Sequence, residues 1–520
     1  MDSLSPREQH VFDVLSSLSS ELYGDIACVT NPTLGKCIIN NDNYHAYVTS
    51  GDFDDQKRPK PFRLILASLR TNIRELAKFI TVLAVNRWKH KQTTSSFRTA
   101  DVVVESPVNV PRSLAGGAID YALSPDLFNH LPASRSFVYA PRLISTNNVK
   151  SILKILELIH AAPHGSITEY DTLSVRDVFA ALAYVLRYPF RIAALARKLG
   201  RESDRTRVLI GRLLIQSLTQ KTLGYYLRYR LGHRLGHLLG KGTHCISWHE
   251  NQPTNKCFFQ GLRQSNPSLR ITGHQLFLWE KNLLNIHTDR NELHHGVVPD
   301  RIMVNGEYYL RSLPGIHHEV GPSVRYRHIF EEAPREALGK TILILLSYHR
   351  GDTLETLAQT RILHHMNADV VYKFHPYTNS ANFASQLDSR ARVVSNPLNE
   401  LLAGAGLVIG SGTGSLLEAA ACGIPVIIPC RKNRITLNPF PEIGRDEIWH
   451  YSHNSEELAA LVSARDTETD SERKRRIELA RTYRDLLFCD PRGYNYEQIF
   501  SFPLTQSTGQ RRIIGRTVKG

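Results

Sequence analysis

The sequence predicts an α/β protein of two Rossmann-like domains facing across a cleft, with a helical basic insert in the N-terminal half. Three observations carry this expectation. The chain has 520 residues, too many for one hydrophobic core and suited to two ordinary domains plus an excursion. From Lys340 onward, short apolar runs alternate with helical segments, the rhythm of a doubly wound parallel sheet. Between residues 174 and 240 that rhythm stops and only helix-spaced apolar residues remain.

Taken in order, residues 1 to about 23 read as a helix or lead-in. Strands are expected at Ile26–Thr30, Cys37–Asn40, Phe62–Ala67, Val102–Glu105 and Phe137–Ala140, with helical spacing over Asn72–Val85 and 148–162. The insert spans about 174–241, and within it YYLRYRLGHRLGHLLG repeats at spacings of three and four, as an amphipathic helix does. Strands follow at Thr243–Trp248, Leu269–Gly273 and Arg301–Asn305, with a helix at Asn255–Gln264. The N-terminal domain is thus expected over 1–313, an interdomain linker over 314–339, the C-terminal domain over 340–490 and a tail over 491–520. In the C-terminal domain TILILLS, DVVYKFHP, ARVVS, GLVIGSG and PVIIPC are near-continuous apolar runs, as expected of strands covered by helices on both faces. Helices are expected at about 353–366, 379–388, 398–404, 413–422, 455–465 and 469–487.

With 42% hydrophobic and 22% charged residues, the composition is that of a globular protein and excludes a wholly disordered chain. Seven cysteines are scattered without CxxC pairs or zinc spacing, so neither a disulfide framework nor a structural metal is expected. The opening MDSLSPREQHVFDVL lacks the basic and apolar regions of a signal peptide, and no uninterrupted run of 18 apolar residues occurs. A cytoplasmic location is expected, peripheral at the inner face of the plasma membrane. The net charge is +15, and Tyr184–Lys241 concentrates it, with 13 Lys/Arg against Glu202 and Asp204. Such a segment attracts an anionic membrane surface or an acidic glycan. No nucleic-acid-binding module accompanies it, so nucleic acid is not an expected partner.

Three segments carry candidate chemistry. In GLVIGSGTGSLLEAAACGIPVIIP, a buried strand opens into Ser411, Gly412, Thr413, Gly414 and Ser415 at a helix start, where free N–H groups, hydroxyls and close backbone approach favour a phosphate. Glu418 follows one turn in, spaced to accept ribose hydroxyls. The segment has neither the Walker lysine nor the GxGxxG order. In VVYKFHP, a strand delivers His375 to the same sheet end and Pro376 stops it, with Lys373 on the same strand face. His375 is expected to donate to a diphosphate and, when protonated, to stabilise a leaving phosphate. Arg350, after the first strand of that domain, joins the donor-binding set. In CISWHENQPTNKCFFQGLR, His249 and Glu250 follow a strand end, and a carboxylate there suits the base that deprotonates an acceptor hydroxyl. Asn251, Gln252, His274 and Gln275 are the expected acceptor-binding residues. No DxD pair followed by a strand is present, so a metal-dependent GT-A transferase is not expected, and neither metal nor cofactor is expected beyond the nucleotide-sugar substrate.

The pairing of KFHP with SGTGSLLEAAACGIPVI resembles bacterial transferases that use CMP- or CDP-activated donors: sialyltransferases, Kdo transferases and CDP-glycerol polymerases. ENQPT, TGHQ, PDRIMVNG and VRYRHIF resemble segments of surface-carbohydrate biosynthesis proteins, so the resemblance covers roughly residues 243–430. It implies a GT-B-like fold and places the donor phosphate on His375, Pro376, Ser411, Thr413 and Ser415. It implies a glycosyltransferase that moves a nonulosonic or ulosonic acid from a CMP-linked donor to a surface polysaccharide or glycolipid, as in capsule or lipopolysaccharide assembly. Thr254 stands where those proteins have an aromatic, and the acidic pair before glycine that supplies the base in many sialyltransferases is not recognisable, which leaves Glu250 as the candidate base. The rival expectations are a CDP-glycerol-type phosphotransferase, a nucleotide-sugar epimerase of the same shape, and a non-catalytic scaffold.

Overall fold

In a computed structural model, residues 4–53, 60–90, 100–122, 135–145, 148–162 and 165–500 are described, apart from 312, 314, 367, 377 and 433. Two parallel six-stranded sheets organise the chain. The first comprises β1 (Val102–Asn109), β2 (Phe137–Ile144), β3 (His244–Trp248), β4 (Arg270–His274), β5 (Arg301–Val304) and β6 (His317–Val320), in the spatial order β2-β1-β3-β4-β5-β6. The second comprises β7 (Thr341–Leu346), β8 (Val370–Phe374), β9 (Arg392–Val394), β10 (Ala405–Gly410), β11 (Val426–Pro429) and β12 (Trp449–Ser452), in the order β12-β11-β10-β7-β8-β9. Every pairing is parallel. The central strands β1, β3, β7 and β10 are buried almost throughout because helices cover both faces. Strand order reverses between β1 and β3 and again between β7 and β10, and such reversals open a crevice beyond the carboxyl ends of the strands.

The first hundred residues depart from expectation. Ile26–Thr30 lies in a short helix, Ile26–Val29, capped by Asp25, and Cys37–Asn40 forms turns. Phe62–Ala67 lies in the 29-residue helix Pro61–Lys89. A six-residue apolar run does not separate strand from helix by periodicity alone, and here Pro61 at the first turn starts a helix. Asn72–Val85 belongs to that helix, as its spacing indicates.

The insert consists of helices Val175–Leu199, Arg205–Ser217 and Leu223–Leu238. The glycine spacing in the last of these has a packing cause. A Cβ at Gly232 would stand 2.3 Å from the Phe258 carbonyl oxygen, and one at Gly261 2.2 Å from that of Tyr229. The helix therefore lies backbone-to-backbone on helix Pro253–Ser265, which leads out of β3. Part of the insert's positive charge points inward. Arg228 is buried and paired with Glu105 at 2.8 Å, while Arg230 and Arg234 both grip the buried Asp177.

The crossover also differs from a plain linker. Within 314–339, His317–Val320 joins the first sheet as β6, beside β5. After helix Asp470–Leu487 the chain returns to the first domain, and helix Glu497–Phe500 buries Ile499 and Phe500 against it. The buried Arg301 guanidinium donates to the Gln498 carbonyl at 3.0 Å and the Ile499 carbonyl at 2.6 Å. The segment expected as a tail is therefore partly docked, and residues 501–520 lie outside the described residues. The single-turn 3-10 segment Ser380–Phe383 stands where a helix over 379–388 is expected, and β12 is a strand that the apolar pattern does not announce.

Asp177 ties the first helix of the insert to the last. Burial pushes its carboxyl up, but hydrogen bonds from Ser174, Arg230 and Arg234 outweigh burial and bring it down to about 2. A depressed carboxyl contributes stability above its unfolded value near 4, and that contribution is lost as pH falls toward 2. Asp177→Asn is expected to cost about 3 kcal/mol at neutral pH, because two arginines lose their shared partner. In denaturant titrations the gap from wild type should narrow between about pH 4 and pH 2.

Candidate functional site

The C-terminal ends of the two sheets meet across the domain interface. After β10, a Cβ at Gly414 would stand 2.9 Å from the Leu278 side chain, which follows β4. After β7, His349 contacts Asn40, and Arg434 pairs with Asp42. A cavity of about 450 Å³ opens here, lined by Asn40, Asp42 and His45 on one side and by His349, Arg350, Asp352, Arg431 and Arg434 on the other. The segment expected as strand Cys37–Asn40 thus ends as one wall of this cavity.

The crevice between β7 and β10 is knitted by backbone contacts. The Ser347 hydroxyl donates to the Gly412 carbonyl at 3.0 Å and accepts from the His349 backbone N–H at 3.1 Å. The Gly412 N–H donates to the Leu437 carbonyl at 3.1 Å. Gly412 has φ +61°, and a Cβ there would meet Asp352 Oδ2 at 2.9 Å and Ser347 Oγ at 3.0 Å. Only glycine satisfies both conditions without strain. The buried Ser411 Oγ has no hydrogen-bond partner among the described residues. Thr413 Oγ1 accepts from the Ser415 N–H at 3.4 Å, a local turn at the start of helix Ser415–Ala421. Asp352 is buried and paired with Arg431 at 3.1 Å; burial pushes its carboxyl up to about 6 although Arg431 pulls it down. Nearby, burial and the Arg431 cation hold the imidazoles of His45 and His349 down to about 4 and about 3.

Toward the middle of the cleft lie His375, Tyr348 and Glu250. His375 is half-buried at the end of β8, its backbone N–H donating to the Leu346 carbonyl at 3.0 Å and its ring 5.3 Å from that of Tyr348. Burial, with Arg325 and Arg112, holds His375 down to about 4, so the ring is neutral near pH 7. This corrects the expectation of a protonated imidazole: cationic charge beside it comes from Arg325 and Arg112, from the crossover and from the helix after β1. Burial pushes Glu250 up to about 7, against the pull of Arg142 and Arg325. Arg325 therefore acts on both groups, and Glu250 also raises the Tyr348 hydroxyl. Glu280, after β4, is pushed up to about 8 by burial and by Asp352, and its carboxylate has no hydrogen bond among the described residues.

The backbone around Glu250 is pinned from both sides. Its carbonyl accepts from Asn285 Nδ2 at 2.7 Å. Asn251, at φ +51°, donates from Nδ2 to the Asn285 carbonyl at 2.7 Å and to Glu292 at 3.1 Å. Glu292 is paired with Lys256 at 2.6 Å and with Lys36 at 3.1 Å, and Lys36 also holds Asp289 at 2.6 Å.

Several expected site residues lie outside the cavity lining. His249 is buried against Phe259 and Trp279, and burial holds its imidazole down to about 3. His274 is buried at the end of β4, its Nδ1 3.1 Å from the Gln275 carbonyl. Gln275 is fully buried, donating to the Phe277 carbonyl and accepting from the Asn305 N–H. Asn251 shapes the loop, and Gln252 caps helix Pro253–Ser265. Glu418 is buried and pairs with His328 of the crossover at 3.2 Å, so it does not present itself to a ribose. Lys373 donates to the Asn396 carbonyl, at the far side of β8 from the cavity. Pro376 is exposed, and Arg350 sits at the cavity wall with its guanidinium 5.5 Å from the Phe383 ring centre. The sequence reading missed Glu280, and its only signal is a carboxylate directly after the apolar run LFLW.

Two doubly wound sheets with their carboxyl ends across one cleft are the GT-B arrangement, and the chain has that fold. No family model and no curated protein matches the sequence. Among solved structures it is similar to a UDP-N-acetylglucosamine 2-epimerase, at 11% identity and a TM-score of 0.38, over 75% of this chain and 92% of that one. It is similar to a variant of the wall teichoic acid polymerase TagF soaked with CDPG, at 10% identity and a TM-score of 0.37, over 85% and 95% of the two chains. It is also similar to MnaA of S. aureus solved with UDP, at 11% identity and a TM-score of 0.43, over 77% and 95%.

Gly412→Ala tests the crevice. The substitution forces an L residue into positive φ and drives a methyl onto Asp352 and Ser347, and a loss of about 1–3 kcal/mol is expected. The melting temperature should fall in this variant, while Gly117→Ala, at positive φ with open space around it, should lower it less.

Proposed function

We propose that the protein is a glycosyltransferase that moves a sugar from a nucleotide-activated donor, most simply a CMP-linked nonulosonic or ulosonic acid, to a surface-polysaccharide or glycolipid acceptor. The observation that carries the reading is the opposition, across one cleft, of Glu250, raised to about 7, to the β7–β10 crevice and its arginine-lined cavity. A group that holds or releases a proton near neutral pH suits general-base work, and an arginine-rich crevice suits a phosphate. In this reading Glu250 takes the proton of the acceptor hydroxyl as its oxygen bonds to the anomeric carbon. The bond from that carbon to the donor phosphate breaks, and its electron pair leaves with the nucleotide. Neutral His375 donates one N–H to the departing phosphate, Arg325 and Arg350 supply positive charge, and Ser411 and Thr413 supply hydroxyl donors. Glu280 and Tyr348 line the path between the two halves.

A thermal-shift panel of nucleotides tests the donor class. CMP or CDP is expected to give the largest stabilisation, and Ser411→Ala combined with Thr413→Ala to remove it. No shift with any nucleotide would leave a non-catalytic scaffold as the better account, and epimerisation of a free UDP-sugar would replace transfer with epimerisation.

Kinetics test the base. Wild-type kcat/KM should rise with pH through about 7, as Glu250 loses its proton. Glu250→Gln should lower kcat/KM by about 10²–10⁴-fold and flatten that limb. An unchanged pH limb in Glu250→Gln would move the base elsewhere, with Glu280 the next to substitute.

A further inference from the structure

Helix Val175–Leu199 is the one described helix long and apolar enough to cross a membrane, yet one face of it is packed inside the protein. Its other face is apolar and exposed. Val175, Phe179, Leu182, Leu186 and Phe190 recur at helical spacing, with Phe179 67% and Phe190 57% exposed. Helix Pro61–Lys89 packs beside it and repeats the pattern: Phe62, Leu66, Ile73 and Ile80 form an exposed stripe, and Trp88 stands 84% exposed at its end. A soluble surface rarely leaves two adjoining helices apolar on the outside without a partner.

The charges beside the stripes select the partner. On helix Pro61–Lys89, Arg63, Arg70 and Arg74 run along one flank of the stripe, and all three are exposed without a carboxylate partner among the described residues. On helix Val175–Leu199, Arg176 and Lys198 lie on the corresponding flank, again exposed and without such a partner. Each helix contains one acidic residue, and neither is available to repel an anion: Glu75 is held by Lys78 and Lys221, and Asp177 is buried under Arg230 and Arg234. An apolar stripe bordered by unpaired cations is the arrangement of helices that lie in the plane of an anionic lipid surface. Trp88 and the phenylalanines suit the headgroup–acyl boundary.

We propose that helices Pro61–Lys89 and Val175–Leu199 together seat the protein on an anionic lipid surface, their stripes inserted to the acyl boundary and their flanking cations on the lipid phosphates. The assignment relocates the docking face. The basic segment Tyr184–Lys241 uses Arg228, Arg230 and Arg234 internally, and its apolar partner face comes from a helix more than a hundred residues earlier. The inference does not depend on the donor or on the reaction.

Co-sedimentation of the full chain with vesicles tests it. The wild type is expected to pellet with phosphatidylcholine vesicles containing about a third phosphatidylglycerol and to bind pure phosphatidylcholine weakly. Phe179→Glu with Leu186→Glu, and separately Phe62→Glu with Leu66→Glu, should each weaken partition about tenfold or more. Arg473→Glu, on the second domain, changes the net charge by the same amount as either pair and should leave partition unchanged. The altered side chains are exposed, and unchanged thermal melting would show that the variants remain folded. Failure of the wild type to pellet with anionic vesicles, or equal partition of folded stripe variants, would overturn the proposal. So would a concentration-dependent dimer that Phe179→Glu dissociates in the absence of lipid binding, since a second copy of the chain would then be the occupant.

Discussion

Lys36, Lys256, Asp289 and Glu292 meet in the interior of the first domain, and the cleft takes its shape from that meeting. Two lysines and a glutamate with no exposure exist there only because each neutralises another. Removing one partner of such a cluster leaves a buried charge and costs about 3–5 kcal/mol. The cluster joins three parts of the chain that have little else in common: the turns after the first helices, the helix leaving β3, and the short helix Arg290–His294. Glu292 then reaches Asn251 and fixes the loop that presents Glu250. A chain that lost its N-terminal helices would thus lose the geometry of a residue two hundred positions later.

The cleft itself is a place where carboxyl groups are hard to ionise. Glu250, Glu280 and Asp352 are all held above the ordinary carboxylate range by burial, while His45, His349 and His375 are held below the ordinary imidazole range by burial and by arginines. Both tendencies have one leading cause: burial takes these groups out of water and disfavours the charged form of each.

The second domain was largely legible from its residues. Five near-continuous apolar runs became β7 to β11, four of them because buried parallel strands need little polar alternation and β9 as the exposed sheet edge, and the glycine turn after β10 lies where its spacing puts it. β12 escaped because WHYS carries two half-exposed polar residues. The first hundred residues misled for a physical reason. Phe-Arg-Leu-Ile-Leu-Ala is apolar on too many sides to show a period, and the helix it belongs to is apolar both toward the core and toward the outside. At the site, strand ends pointed to Glu250 and His375, which Arg325 couples in the cleft, but polarity after a strand end did not distinguish a cleft group from a loop anchor. His249, Asn251, His274 and Gln275 all follow strand ends and all are buried in the protein, outside the lining of the cavity. Glu280 was illegible because it meets Asp352 only in three dimensions.

The chain passes between the domains twice, once through the segment after β6 and once on leaving helix Asp470–Leu487, where the Ser323 N–H donates to the Cys489 carbonyl and the two passages lie side by side. A pair of adjacent tethers is a door hinge with both leaves fastened on one edge. Tethers placed so favour swinging about that edge over sliding of one half past the other. Severing one passage would not separate the halves, because the terminal helix remains clasped by Arg301; the cut protein would stay in one piece but its swing would lose its axis.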